Sequence, residues 1–169
     1  DAVITDPPYP GYDYGWPVPE LDSLGIDFCR GFFFWPAMTP FPLPHTAVHI
    51  WSKANVNIGD RERYEVIYEV NGNKGCGVYR NSAVNCEMNA TINGDKFYGH
   101  PTQKPIRLMN RLVQQVKGTV LDPFMGSGTT GVSCISLGRQ FIGIEIDPKF
   151  YEIALERITA AHSQQRLFA

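Results

Sequence analysis

This chain of 169 residues predicts an α/β fold built on half of a doubly wound parallel sheet. Three observations carry that expectation. An apolar strand, Ala2-Val3-Ile4-Thr5, runs into Asp6-Pro7-Pro8-Tyr9, where two prolines forbid its continuation. Near the other end a strand at 119–121 meets the turn Asp122-Pro123-Phe124-Met125-Gly126-Ser127-Gly128-Thr129-Thr130. Helix, strand and helix follow that turn at the spacing of repeated strand–helix units. With 43% apolar residues the chain has material for one core, so a single domain over 1–169 is expected.

Residues 10–17 are rich in Gly, Pro and Tyr, as in a loop beside a ligand. Residues 20–30 can form a helix that Gly31 ends. Phe32-Phe33-Phe34-Trp35 is the next strand, and the proline-dense 36–44 segment connects it to strands at 46–52 and 63–70, both rich in β-branched and aromatic residues. From 71 to 99 the composition turns to Gly, Asn, Cys and scattered charge without periodicity, the pattern of a functional or mobile excursion. The clearest amphipathic helix spans 104–117, with Ile106, Met109, Leu112, Val113 and Val116 at helical spacing. After the strand at 119–121 come a helix at 129–137 closed by Gly138 and a strand at 141–146. A last helix, capped by Asp147 and opened by Pro148, runs to about residue 161.

Composition excludes several classes. A formal net charge of −2 and a pI of 6.1 fit a soluble globular protein. The longest purely apolar stretch, Phe32-Phe33-Phe34-Trp35, falls far short of the roughly 20 residues of a membrane span. No basic-then-apolar leader opens the chain, so a cytoplasmic protein is expected. Asp1 falls straight into an apolar strand, and a natural start upstream of it is expected. Cys29, Cys76, Cys86 and Cys134 form no CxxC pair; Cys134 reads as core, and Cys76 and Cys86, in a loop-rich stretch, could pair but are expected to stay reduced. His45, His49, His100 and His162 do not cluster, so no metal site is expected. Residues 72–117 hold seven basic against two acidic residues, a net of +5 that leaves −7 for the rest. Such a local basic zone suits either a polyanion or a solvated face.

Two motifs carry chemistry. Gly126-Ser127-Gly128-Thr129-Thr130-Gly131 fits G-x-G-x-x-G, a turn that lets a nucleoside cofactor approach the backbone, and Glu145 follows at nearly the distance of a ribose-binding acid. A nicotinamide enzyme would show the same glycines, but Asp122 directly before the turn would repel pyrophosphate and suits the ammonium of an amino-acid moiety. A strand–helix corner using glycine only for packing leaves Asp122 and Glu145 unexplained. Asp6-Pro7-Pro8-Tyr9 combines a carboxylate, a proline carbonyl and an aromatic face. Asp6 and the Pro7 carbonyl can accept the two N–H groups of an exocyclic amine and so free its delocalised lone pair. Tyr9 offers a stacking face to a base extruded from a duplex. A proline turn with a capping aspartate is the plainer reading of the same residues.

With both motifs in this order, the chain resembles the β-class amino-methyltransferases, which methylate adenine N6 or cytosine N4 in DNA with S-adenosylmethionine. In these the catalytic tetrad precedes the glycine motif, as here. His100-Pro101-Thr102-Gln103-Lys104-Pro105 resembles the segment that closes over the methionine end of the cofactor, and 141–146 with Asp147-Pro148 matches their acidic second strand. The ending Gln165-Arg166-Leu167-Phe168 has the look of phage and prophage members.

The resemblance implies a Rossmann-like methyltransferase sheet of circularly permuted motif order, lacking the N-terminal edge strand and helix that family members carry. It implies catalytic roles for Asp6, Pro7, Pro8 and Tyr9, and a cofactor corner of Asp122, Pro123, Phe124, Gly126, Ser127, Gly128 and Thr129. Glu145 would take the ribose, and Thr102 and Lys104 the methionine carboxylate. Residues 71–99 sit where target-recognition material lies. The implied protein is a bacterial or phage DNA methyltransferase of the restriction-modification kind. Its expected target is adenine N6 in double-stranded DNA with a flipped base, and either a second subunit, as in a homodimer, or a region outside this chain is expected to complete the short recognition segment. Cytosine N4 methylation and a catalytically inactive DNA-binding relic are the alternatives.

Overall fold

The structure, a computed structural model, describes residues 1–9, 20–25, 27–53, 64–73, 75–80 and 95–167. Seven strands form its centre: β1 (Ala2–Thr5), β2 (Arg30–Trp35), β3 (Ala47–Ser52), β4 (Tyr64–Val70), β5 (Val78–Arg80), β6 (Val120–Asp122) and β7 (Phe141–Gly143). They make one sheet in the order β5-β3-β4-β2-β1-β6-β7. β4 runs antiparallel to β2 and β3, and the remaining pairings are parallel. The helices are α1 (Ile106–Val113), α2 (Thr129–Ser136) and α3 (Pro148–Leu167).

Side-chain alternation on the strands builds a core on each face of the sheet. Ala2, Ile4, Phe32, Phe34, Trp51, Ile67 and Val120 point to one side and bury Leu108, Met109, Leu112 and Val113 of α1 and Cys134 of α2. Val3, Phe33, Trp35 and Val70 point to the other, where Phe28, Phe41 and Leu43 cover them. Phe41 stacks on Tyr68 with ring centroids 4.4 Å apart. The buried Glu69 of β4 accepts from Arg30 Nε at 2.7 Å and meets His49 Nε2 at 2.8 Å, joining β2, β4 and β3 through one carboxylate. An acid buried so deeply is held by being paired on both oxygens.

Several expectations change in detail. The sheet is mixed rather than wholly parallel because β4 is reversed. The helix expected at 20–30 is only a short 3-10 turn, Leu21–Leu24, ended by Gly25 at φ +61°. Phe28 turns instead to the sheet, where it packs on Phe33, and Arg30 and Gly31 already belong to β2. Helix α1 begins after Pro105 and ends at Val113, while Val116 remains buried beyond it. The strand expected at 141–146 pairs only through Gly143, and α3 runs past residue 161 to Leu167. A short strand, β5, emerges from the aperiodic stretch at 71–99 and pairs with β3. Cys134 is buried in the core as expected, its thiol pushed up to about 12 by burial, while Cys29 and Cys76 are free and exposed. The loop at 10–17, residues 81–94 with Cys86, and Phe168 lie outside the described residues.

Candidate active site

Parallel strands β1, β6 and β7 end on the same edge of the sheet, and each delivers an acid there: Asp6, Asp122 and Glu145. These ends open into a cleft of about 570 Å³. Asp6-Pro7-Pro8-Tyr9 forms one wall, the corner from Asp122 to Thr130 the floor, and His100 to Lys104 a further wall. Ile144, Ile146 and Phe150 add an apolar side. The two motifs read from opposite ends of the sequence therefore share one space of the size that small-molecule sites commonly have.

Asp6 leaves β1 where Pro7 and Pro8 end the strand. One of its carboxylate oxygens accepts from the Tyr9 hydroxyl, the other from the Lys104 ammonium. The Tyr9 ring meets Trp35 edge-on at 5.6 Å. Lys104 also pairs with Glu65 at 3.2 Å and lies over the rings of Phe34, at 4.8 Å, and Trp51, at 5.8 Å. Lys53 in turn pairs with Glu65 at 2.7 Å. Burial raises the Asp6 carboxyl above the usual carboxylate range, against the pull of Lys104. Burial works in the opposite direction on Lys104, but Asp6 and Glu65 overcome it and hold the ammonium charged. Glu65 is likewise buried, and Lys104 and Lys53 together keep it ionised.

The glycine corner is tied at three points. Asp122 is buried and accepts from the Thr5 hydroxyl at 2.7 Å, the Thr130 hydroxyl at 2.6 Å and the Phe124 N–H at 3.2 Å. Burial outweighs these donors and pushes its carboxyl up to about 6. Glu145 accepts from the backbone N–H groups of Gly126, at 2.8 Å, and Asp147, at 2.9 Å, which fastens the corner to the end of β7. Gly126 has φ +52°, and a Cβ there would come within 2.8 Å of His100 Nε2. His100 packs edge-on against Phe150 at 4.4 Å, and burial with Lys104 nearby pushes its imidazole down to about 4. From α3 the buried Arg157 donates to the Ser127 carbonyl, to Ser127 Oγ at 3.1 Å and to Thr129 Oγ1 at 3.3 Å, and stacks on the Tyr98 ring at 4.2 Å.

A family model described as DNA methylase, of the N6/N4 methyltransferase group, matches residues 34–156. The chain belongs to the N6/N4 DNA methylase family. This methylase chain is 35% identical over 113 residues to the type II methyltransferase M2.MboI of Moraxella bovis, a match covering 64% of this chain and 39% of that protein. It is 44% identical over 70 residues to the DNA adenine methyltransferase YhdJ of Escherichia coli (strain K12), covering 40% of this chain and 24% of that one. The matched stretch thus spans about two fifths or less of the length of these curated relatives. Among solved structures, the M1.HpyAVI–SAM complex aligns with a TM-score of 0.61 and 25% identity, covering 93% of the methylase chain and 88% of that chain. The cytosine-N4-specific PvuII DNA methyltransferase shares the fold, with a TM-score of 0.58 at 15% identity over 96% of this chain and 84% of that one.

All fourteen residues singled out in the sequence lie in the described structure, and all but Gly128 line the cleft itself. Gly128 sits one step behind it, at the first turn of α2 and against Ala154 of α3. Lys104 is the residue whose surroundings differ from expectation: its ammonium is already engaged by Asp6 and Glu65. Thr102 is exposed at the rim beside His100. Sequence reasoning missed Glu65, Lys53, Arg157 and Gln103. Gln103 is buried and bonds the Tyr98 N–H and the Lys96 carbonyl, holding 96–98 to the cleft wall. A signal for Glu65 was available: it shares a strand face with Ile67 and Glu69, and an acid at a core-facing position requires a partner. Among the described residues no group of His, Cys, Asp and Glu is arranged to hold a metal, and no helix is long and apolar enough to cross a membrane.

Proposed function

We propose that this chain is the catalytic part of a DNA methyltransferase that moves a methyl group from S-adenosylmethionine to adenine N6 in a specific DNA site. The observation that carries the reading is the single cleft in which Asp6-Pro7-Pro8-Tyr9 faces the glycine corner. The cleft also fits the cofactor in kind: an apolar side at Ile144, Ile146 and Phe124, an acid at Glu145 and polar groups at Ser127 and Thr129. When bound, S-adenosylmethionine would supply a methyl group on a sulfonium, whose sulfur would keep the carbon–sulfur electron pair once the amine nitrogen takes that carbon.

The chain's own residues do the rest. Phe124, Gly126, Ser127, Gly128 and Thr129 form the corner against which the nucleoside lies. Glu145 accepts from ribose hydroxyls with the lone pairs its two backbone bonds leave over. Asp122, tied to both Thr5 and Thr130, fixes the corner to β1, so the tetrad and the cofactor site cannot drift apart. A base flipped from the duplex places its amino group at Asp6 and the Pro7 carbonyl, with Tyr9 against the ring. Accepting both N–H groups draws the nitrogen lone pair out of conjugation, and Asp6 is the group at hand for the proton that the methylated amine sheds. Positioning in a water-poor cleft supplies most of the acceleration.

Adenine as target is supported by the likeness to a protein named a DNA adenine methyltransferase. The likeness to the cytosine-N4 enzyme is one of fold. DNA contact through 71–99, and pairing with a second subunit to complete it, are part of the same proposal. The test is transfer of labelled methyl groups to DNA, with the modified base identified after digestion. Wild type should give N6-methyladenine and Asp6→Ala should give none while still binding cofactor; equal transfer by the two proteins would reject the reading.

A further inference from the structure

We propose that Glu65, braced by Lys53, is a positioning residue for the amine site, taking the Lys104 ammonium from Asp6 when Asp6 engages the target base. This rests on the role of Asp6 in methyl transfer given above. Four charges of alternating sign run inward from the end of β3: Lys53, Glu65, Lys104 and Asp6. Each is largely withdrawn from water, with side-chain exposures of 16%, 15%, 8% and 17%. The row is neutral as a whole, which is what permits four charges in so apolar a setting.

The row also explains how Asp6 can be both stored and used. In the structure both of its oxygens are engaged, by Tyr9 and by Lys104. A carboxylate pinned by an ammonium is a weaker acceptor for an amine, because the cation draws off the electron density that the N–H groups need. Lys104 already touches two carboxylates and lies across two aromatic faces, Phe34 and Trp51. A rotation of its flexible stem would carry the ammonium onto Glu65, leaving Asp6 to the Tyr9 hydroxyl and the N–H groups of the arriving amine. Lys53 matters because it holds the other side of Glu65 and keeps that carboxylate ionised to receive the lysine. The groups facing Asp6 are Tyr9 on its own turn, Lys104 ahead of α1, Glu65 on β4 and Asp122 on β6. His100, facing Lys104, is neutral over the working range.

Charge variants of the row separate this from simple stitching of β4 to β1. Methyl transfer to DNA would be followed as kcat against pH, from about pH 5 to 9, for wild type, Glu65→Gln, Lys53→Met and the double variant. Glu65→Gln leaves a net positive row with Lys104 pinned on Asp6: kcat should fall about tenfold or more, and its acid limb should move down by about one pH unit. Lys53→Met leaves a net negative row, so the acid limb should move up by about one unit. The double variant restores neutrality, and its limb should return to the wild-type position even though its rate does not. Cofactor KM should stay within about twofold throughout, since the row faces the base rather than the glycine corner.

Rate losses with all limbs at the wild-type position, or limbs moving in the same direction in both single variants, would overturn the inference while leaving methyl transfer by wild type intact. Should Glu65→Gln not fold, the upward shift in Lys53→Met decides alone. A wild type that transfers no methyl group, or an Asp6→Asn protein as active as wild type, would overturn both this inference and the reading it rests on.

Discussion

Gly128→Ala is the most direct probe of how the cofactor corner is held. Gly128 opens α2 at φ +78°, and a Cβ there would stand 2.8 Å from the Cβ of Ala154 and 2.9 Å from its Cα, on the neighbouring helix α3. Two costs follow. The left-handed backbone costs an L-residue about 1–2 kcal/mol. Forcing a methyl group against the backbone of a packed helix costs about 1–3 kcal/mol more. Together the substitution should lower stability by about 2–5 kcal/mol, and since α3 must back away, the corner should move with it and cofactor binding should weaken.

Ala154→Gly separates the two costs. By itself it should destabilise by about 0.5–1 kcal/mol, as glycine in a helix does. Combined with Gly128→Ala it removes the nearer of the two clashing atoms, so part of the overlap cost should return as a favourable coupling of about 1–2 kcal/mol. Urea unfolding of the four proteins measures the cycle, and titration calorimetry with S-adenosylmethionine measures the corner. A loss below about 1 kcal/mol for Gly128→Ala, or strictly additive effects of the two substitutions, would refute the packing of α3 against the corner.

Two further outcomes follow from the buried polar groups. The Asp122 carboxyl, pushed up to about 6 from 3.8, keeps its proton in the folded state where the unfolded chain has lost it, so its contribution to stability falls as pH rises through that window, by about 3 kcal/mol in all. His100, pushed down to about 4 from 6.5, has the opposite sign, its contribution being lost as pH falls towards 4. Asp122→Asn removes the first effect and leaves the second. Unfolding free energy measured in urea should therefore climb more steeply between about pH 4 and 6 than in wild type, and an unchanged slope would contradict the burial of Asp122. Arg157→Met keeps most of the bulk of Arg157 but strips the Ser127 and Thr129 oxygens of their donor and Tyr98 of its cation. We expect a loss of about 2–4 kcal/mol in thermal or urea unfolding, with weaker cofactor binding by calorimetry; a stability loss with unchanged cofactor affinity would separate Arg157 from the corner.

The parts legible in the sequence were those that local rules fix. Proline ended β1 at Asp6, glycines turned the corner at Gly126 and Gly128, and Asp147 with Pro148 opened α3, its carboxylate accepting from the Lys149 N–H at 2.8 Å. What could not be read depends on partners distant in sequence. Lys104 is legible through the resemblance as a partner for the cofactor carboxylate, but only the fold brings it to Asp6, 98 residues away. Arg157 sits among charged neighbours on α3, and only the packing of α3 on α2 shows that it points inward. The direction of β4 was equally hidden, because an alternating strand has the same pattern whichever way it runs.

That reversed strand has a consequence for how the ionic row tolerates change. In the parallel strands the residues at the cleft are those where the strand ends, whereas β4 arrives there with its beginning. Glu65 therefore stands opposite Trp51, two positions before Lys53. The pairing of one hairpin-like ladder thus sets the acid beside its lysine. A single residue inserted into β4 after Glu65 would slide the ladder and present the carboxylate to the opposite face of the sheet, so an alteration that leaves every polar residue in place could still disconnect Asp6 from its counterweight.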